Sequence, residues 1–130
     1  MPPDASTRAV SLAIPAKAEY LSLARLALTA LCHLTPLDPE QVAEVKLAMV
    51  EAAAGWIGPP PDAGREGERL DFRFQLAPAA LCIDVSGPDS QSVTGEDAQL
   101  RRAIIEATVD DVLIGPGSVR LVKYLRDGAK

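Results

Sequence analysis

The chain has 130 residues, of which 48% are hydrophobic, and a net charge of −5 at pH 7. This length is enough for one domain with a buried core and too short for two ordinary domains. We therefore predict a single domain over residues 1–130, with its core at about 9–126. The acidic balance and the lack of any extended basic run exclude a general nucleic-acid binder and a protein that binds acidic membranes, because both need patches of Lys and Arg.

The cysteines and the most apolar stretch indicate where the protein works. Residues 21–34 are too few for a membrane span and include Arg25 and His33. Cys32 and Cys82 lie in apolar patterns without metal-ligand spacing, and no secretory signal precedes them. We expect reduced core thiols in a soluble, cytoplasmic protein. The single histidine excludes a cluster of histidine ligands, and no metal site is predicted.

A strand and a helix are the first predicted elements. Val10, Leu12 and Ile14 alternate with smaller or polar residues, which is the period of a half-buried strand. From Lys17 to His33 the pattern is helical, and its apolar arc is unusually wide. Such a helix is either buried on two sides, or buried on one side and used for association on another.

The second helix, residues 39–57, is the best-marked element of the chain. Asp38 is placed to cap it, Pro39 suits the first helical position, and Gln41 stands where a capping-box partner belongs. Glu51 lies near the polar side of this helix, with Gly55 one turn beyond it. The apolar stripe on the other side is formed by Val42, Val45, Met49, Ala52 and Trp56.

The second half of the chain predicts a hairpin, a helix and a strand. Residues 58–69 are rich in Pro, Gly and charge and are predicted to form a loop, and period-two alternation in 70–76 and 81–86 predicts a hairpin. A helix follows from about Asp97 to Asp110, and the last strand spans residues 118–125. The buried face of that helix is predicted to hold Leu100, Ile104, Ala107 and Thr108. This order predicts an α+β two-layer sandwich, with helices on one face of a mostly antiparallel sheet.

Six short stretches along the chain form a recognisable series: Ile14-Pro15-Ala16-Lys17, Leu23-Ala24-Arg25-Leu26, Val45-Lys46-Leu47-Ala48, Val50-Glu51-Ala52, Ala103-Ile104-Ile105 and Val119-Arg120-Leu121-Val122-Lys123. In these stretches the chain resembles the anti-sigma-factor serine kinases of the GHKL superfamily, which are histidine-kinase-like ATPases with the Bergerat fold. The resemblance runs from about Val10 to Leu125 and implies that fold for the chain.

The resemblance also implies where the family's nucleotide site falls. A Glu-Ala-x-x-Asn box supplies a general base and a magnesium ligand in the family, and here Glu51 matches the base while Gly55 replaces the Asn. The family reads adenine with an Asp-x-Gly-x-Gly box. At this place the chain has Gly87, and a carboxylate, that of Asp89, is displaced from the expected position. Residues 99–102, Gln-Leu-Arg-Arg, replace the glycines that hold the phosphates.

These replacements have physical consequences. Mg²⁺ requires near-octahedral oxygen ligation, and Gly55 offers no side-chain oxygen. Side chains at positions 99–102 block the close approach of backbone N–H groups to phosphate. We therefore interpret Glu51 as a relic of the catalytic base. The remnants of the cofactor site are then Gly55, Gly87 and Asp89. We expect neither ATP nor Mg²⁺ to bind.

The partner surface is expected on the first helix. Arg25 matches the arginine with which family members contact their sigma factor and their anti-anti-sigma (STAS) partner, and we expect Leu21 and Leu28 to flank it in an apolar contact. The resemblance thus implies a regulatory binding protein, a homodimer that controls transcription without contacting nucleic acid or membrane. One alternative is an active ATP-dependent serine/threonine kinase of a STAS protein, with Glu51 as base and Asp89 reading adenine. Another is a dimeric pseudo-kinase adaptor in a phosphorelay.

Overall fold

The computed structural model of the protein describes residues 8–57, 68–87 and 96–125. Within these ranges the chain forms an α+β fold with five strands and three α-helices. A short 3₁₀ turn, Ala18–Tyr20, precedes the first helix, so this helix begins later than Lys17. The elements are β1 (Arg8–Pro15), α1 (Leu21–Cys32), α2 (Pro39–Ala54), β2 (Arg69–Leu76), β3 (Ala80–Ser86), α3 (Glu96–Thr108), β4 (Asp111–Ile114) and β5 (Ser118–Tyr124).

The strands form one antiparallel sheet in the order β1-β2-β3-β5-β4. The predicted hairpin is confirmed, because β2 pairs with β3 and the Ala77 N–H donates to the Ala80 carbonyl at 3.0 Å to close the turn. Strand β4 was not anticipated by the sequence pattern. Its three apolar residues, 112–114, are consecutive and show no alternation, which is the signal on which a strand prediction depends.

The core lies between one face of this sheet and the helices. Alternate residues of β2 and β3 are buried, which places them on the helical side and leaves the other face of the sheet exposed. Helix α1 contacts β1 and β2, whereas α2 contacts β3 and β5. The largest fully buried side chains are Phe72, Phe74, Ile14, Leu28, Met49, Leu70, Leu81, Ile83 and Leu121.

Helix α2 begins as its sequence predicts. The Gln41 N–H donates to Oδ1 of Asp38 at 2.8 Å, and the Asp38 N–H donates to Oε1 of Gln41 at 3.1 Å, which completes a capping box with Pro39 in the first turn. Of the predicted stripe, Val45, Met49 and Ala52 are fully buried. Val42 and Trp56 are half-buried against the same core.

Helix α3 is rotated relative to the sequence prediction. Leu100 is 62% exposed and Ala107 is also exposed, whereas Ile105 and Val109 are buried. The predicted buried face is therefore wrong for Leu100 and Ala107. Its packing against α2 turns inward the face that holds Arg101 and Ile105, and this face continues through Val109 toward β4. The helix also ends at Thr108, not at Asp110.

Candidate functional site

Glu51 and Gly55 lie in the last turns of α2. Glu51 is half-buried with its side chain 26% exposed, and Gly55, the C-cap of α2, is buried. Helix α2 packs against α3, and an ion pair of Glu51 with a residue of α3 places Glu51 on the side of α2 that faces this helix. Any chemistry at Glu51 therefore depends on what α3 places beside it.

Arg101 of α3 is the residue that meets Glu51. Its Nε lies 3.7 Å from Oε1 of Glu51, which is an ion-pair distance but too long for a hydrogen bond. The Nε and Nη1 atoms of Arg101 are buried and, among the described residues, have no hydrogen-bond acceptor. A buried guanidinium is costly without a counter-charge, so Glu51 serves as the charge that compensates Arg101.

Gly87 lies directly after β3 and packs against an aromatic ring. A Cβ at Gly87 would lie 2.6 Å from Cε2 of the Trp56 indole and closer still to Cδ1 and Nε1. The Gly87 N–H also donates to the Gly117 carbonyl at 3.1 Å. Trp56 therefore fills the space beside Gly87, where the resemblance implies the adenine-reading box. Asp89 lies outside the described residues.

Leu21 and Leu28 do not flank Arg25 on an exposed surface. They are 5% and 0% exposed and belong to the core, so this part of the predicted partner surface is wrong. The sequence pattern could not assign them to either side, because α1 is apolar over most of its circumference. Arg25 itself is exposed as expected.

The exposed leucines of α1 are different residues. Leu23 is 46% exposed, Leu26 is 66% exposed and Leu34, in the turn after the helix, is 56% exposed. Leu23 and Arg25 are two positions apart, so they point about 200° apart around the helix. Thr29, one turn beyond Arg25, accepts a hydrogen bond from Lys46 Nζ of α2 at 3.2 Å. Arg25 thus lies on the side of α1 that faces α2, and Leu23 lies on the opposite side.

The exposed face of the sheet holds a shallow depression of about 510 Å³. Arg73 and Asp84 line it together with two serines, Ser11 and Ser86. Asp84 also accepts two hydrogen bonds from Arg120, at 2.7 and 3.3 Å, and this pairing raises the pKa of Arg120. The depression lies on the opposite side of the sheet from Glu51. In the sequence its polar residues show only the alternation of a half-exposed strand, so no local pattern marks them as a site.

Both cysteines are free thiols. Cys32 is buried as expected, whereas Cys82 is half-buried on the exposed face of the sheet, which differs from the expected core position. Burial raises the pKa of each thiol, with smaller effects from nearby charges, so both thiols are weak nucleophiles at neutral pH. Neither cysteine lies in an arrangement that suggests catalysis.

Within residues 8–57, 68–87 and 96–125, no three His, Cys, Asp or Glu side chains come together as a metal site would require. In the same part of the chain, no helix has the length and apolar character needed to cross a bilayer.

No protein-family model matches this chain, and no curated protein matches it in sequence. The structure itself defines the class, which is an α+β fold: in the described part of the chain, three α-helices cover one face of a five-stranded antiparallel sheet. Its candidate functional surfaces are the Glu51–Arg101 pair between α2 and α3, and the exposed sides of α1.

Proposed function

We propose that the protein is a regulatory binding protein of the anti-sigma-factor type, with a Bergerat fold whose nucleotide site is degenerate. It acts in the cytoplasm as a homodimer and controls transcription by binding a sigma factor, a STAS-domain protein, or both. The proposal rests on the resemblance of the sequence and is supported by two features of the structure.

The Glu51–Arg101 pair carries the proposal. A general base needs a carboxylate that is free to approach the proton it removes. Glu51, which matches the base of the family, is instead 3.7 Å from Nε of Arg101, and this nitrogen and Nη1 are buried without a hydrogen-bond acceptor among the described residues. This pairing favours a structural role for Glu51 and argues for binding over catalysis.

Arg25 is the second supporting feature. It is exposed on α1, and in the part of the chain that the structure describes it has no ion pair that a partner would need to break. An exposed arginine with five donors suits recognition of a carboxylate on a partner protein. The side of α1 that carries Arg25 is therefore the proposed recognition surface.

Charge reversal at Arg25 tests the proposal. Sigma factors and STAS-domain proteins of the same organism would be titrated against the wild-type protein and the Arg25→Glu variant by biolayer interferometry. We expect Arg25→Glu to weaken binding at least tenfold and more than Arg25→Ala, because a reversed charge adds repulsion to the lost contact. The melting temperature should change little, since exposed substitutions shift stability by no more than about 0.5 kcal/mol.

Two variants serve as controls. Arg73→Glu reverses an exposed arginine on the other side of the molecule, and Glu51→Gln removes the charge of the former base while keeping its shape. Neither should change the affinity for the partner. If Glu51→Gln weakens the complex and Arg25→Glu does not, the partner is recognised between α2 and α3, and the proposed surface is incorrect.

A further inference from the structure

The depression on the open face of the sheet forms where outward-facing side chains are short. Two neighbouring cross-strand rows meet there, of which one consists of Ala13, Asp71, Ser86 and Ser118, and the other of Ser11, Arg73, Asp84 and Arg120. No side chain of the first row is longer than that of aspartate, whereas the second row contains two arginines. The volume of about 510 Å³ lies over the part of both rows that belongs to β1, β2 and β3.

The lining of the depression is polar. The outward-facing side chains in it supply two carboxylates, one guanidinium, two hydroxyls and the methyl group of Ala13. Leu12 and Phe72 also border it, but they alternate with these residues along their strands and pack on the core of the helical side. Pockets for large organic ligands are lined mainly by apolar and aromatic side chains. This lining instead suits a small polar ligand.

Each carboxylate of the depression is already paired with an arginine from outside it. Asp84 accepts hydrogen bonds from Nε and Nη2 of Arg120, at 2.7 and 3.3 Å. Oδ1 of Asp71 lies 3.5 Å from Nε of Arg69, which is an ion-pair distance. The negative charge inside the depression is therefore compensated by groups that do not line it.

Arg73 is the charged group that this pairing leaves over. It lies directly opposite Ser11 on one side and Asp84 on the other, so an ion pair with Asp84 would be the usual cross-strand arrangement. Arg120 takes that carboxylate instead. In the described part of the chain the exposed guanidinium of Arg73 has neither an ion pair nor a hydrogen bond, and the hydroxyls of Ser11 and Ser86 have no hydrogen-bond partner there.

The local charge balance favours an anion. The depression and the residues paired with it hold three arginines, at positions 69, 73 and 120, against two aspartates, at positions 71 and 84. This is a local excess of positive charge on a chain whose net charge is −5. Such an excess attracts anions to the site. The planar guanidinium of an arginine pairs with a carboxylate or a phosphate through two parallel N–H bonds.

We propose that this depression binds a small hydroxylated anion, whose carboxylate or phosphate group pairs with Arg73. The hydroxyl groups of the ligand contact Ser11 and Ser86, which can both donate and accept, and the lone pairs of Asp71 and Asp84 that their arginines leave free. This inference goes beyond the proposed function and uses neither Arg25 nor Glu51. It gives the open face of the sheet a ligand of its own, on the opposite side from the proposed partner surface.

NMR titration of the full, ¹⁵N-labelled chain at constant ionic strength tests the site with three probes. These are D-glycerate, glycerol 3-phosphate and glycerol, which share a short hydroxylated chain and differ in the charged group. We expect at least one of the two anions to bind saturably with a dissociation constant of about 5 mM or below, and glycerol not to bind in that range. The shifted amide signals should belong to the residues that line the depression. The anion that binds more tightly shows whether the site prefers carboxylate or phosphate.

Substitution of Arg73 identifies the group that holds the anion. Arg73→Ala should raise the dissociation constant at least tenfold, and Arg73→Lys should retain part of the affinity, because it keeps the charge but loses the paired donors. Arg8→Ala is the matched control, since Arg8 is an exposed arginine of β1 that alternation places on the helical side of the sheet. It should bind as the wild-type protein does.

Three results would overturn the proposal: no saturable shift with either anion, shifts confined to the helices, or unchanged affinity in Arg73→Ala. The NMR spectrum of each variant shows directly whether it is folded. Because Arg73→Glu should leave binding of a protein partner unchanged, failure of this assay and failure of the partner assay are distinguishable.

Discussion

At the scale of single residues, the space around a side chain decides what each position tolerates. Gly87 and Gly117 illustrate this, because they are joined by a backbone hydrogen bond of 3.1 Å yet have different surroundings. The Trp56 indole occupies the place where a Cβ of Gly87 would lie, whereas no atom lies within 4 Å of the corresponding place at Gly117. The glycine at position 87 is therefore required by packing, and the one at position 117 is not.

We expect Gly87→Ala to destabilise the protein by about 1–3 kcal/mol, because the added methyl group forces the Trp56 ring or the end of β3 to move. Gly117→Ala is the matched control. Its backbone is not left-handed and the space is open, so the change should be neutral or stabilise the fold by up to about 1 kcal/mol through the unfolded state.

Urea denaturation of both variants measures the two effects as shifts of the midpoint with an unchanged slope. Repeating Gly87→Ala in a Trp56→Leu background should reduce its cost, since the two residues are in contact and their effects are coupled. Equal costs for Gly87→Ala in both backgrounds would show that the indole is not the obstacle.

On α1, the prediction for Arg25 was correct because charge decides it, and the prediction for Leu21 and Leu28 was wrong because packing decides it. Arg25 is exposed, as its charge requires. Helix α1 has leucine at four neighbouring positions, and only the side of the helix on which the sheet lies determines which of these leucines are buried. The positions are Leu21, Leu23, Leu26 and Leu28. This direction is a tertiary property, and no local pattern in an apolar helix contains it.

At the scale of elements, the start of α2 is fixed by local chemistry. Both hydrogen bonds of the capping box involve residues three positions apart, and Pro39 needs no partner for a backbone N–H because it has none. All the residues that form such a cap lie within a few positions of one another in the sequence. The start of α2 and the β2–β3 hairpin were therefore predictable from the sequence.

Removal of the cap should have a measurable cost. We expect Asp38→Ala to lower the free energy of unfolding by about 1 kcal/mol, because the Gln41 N–H loses its acceptor. Asp38→Asn retains a side-chain oxygen at the same place and should cost much less. Thermal and urea denaturation of the two variants give the comparison, and equal losses would mean that the carboxylate charge, not the capping bond, stabilises the helix.

The orientation of α3 and the existence of β4 were not predictable in the same way. The face of α3 that packs on α2 holds Arg101 beside Ile105, whereas Leu100 is exposed, so the apolar pattern of this helix does not mark its buried face. Strand β4 is apolar without alternation and is stabilised by its pairing with β5, in which Val112 lies opposite Leu121 and Ile114 opposite Val119. Both features depend on partners that are distant in sequence or in another layer.

At the scale of the whole molecule, apolar side chains are exposed on both faces. The open face of the sheet carries charged residues such as Arg73 and Arg120, and also Leu113, which is 68% exposed and lies opposite Arg120 in the pairing of β4 with β5. The helical layer exposes single leucines, which are Leu23 and Leu26 on α1, Leu47 on α2 and Leu100 on α3. Exposed leucines alone therefore do not distinguish the two faces, and the proposed contact with a partner depends on Arg25 of the helical side.

The region between α2 and α3 determines whether the protein binds a nucleotide. The resemblance places ATP beside Glu51, Gly55, Gly87 and residues 99–102. Glu51 is paired with Arg101, and the space beside Gly87 is filled by Trp56. A nucleotide would have to displace an indole and separate an ion pair, and Gly55 provides no ligand for its magnesium ion.

We therefore expect Mg-ATP to bind with a dissociation constant above about 1 mM, which corresponds to less than about 4 kcal/mol of favourable free energy. At a ligand concentration of about 1 mM such binding stabilises the fold by less than about 0.4 kcal/mol, so the melting temperature should hardly change. Calorimetric and thermal titrations with Mg-ATP, compared with magnesium sulfate at equal ionic strength, measure this directly. A micromolar isotherm would show that Trp56 and Arg101 yield to the nucleotide. Transfer of labelled phosphate to a STAS-domain protein would show in addition that the protein is an active kinase, in which Glu51 would serve as the base.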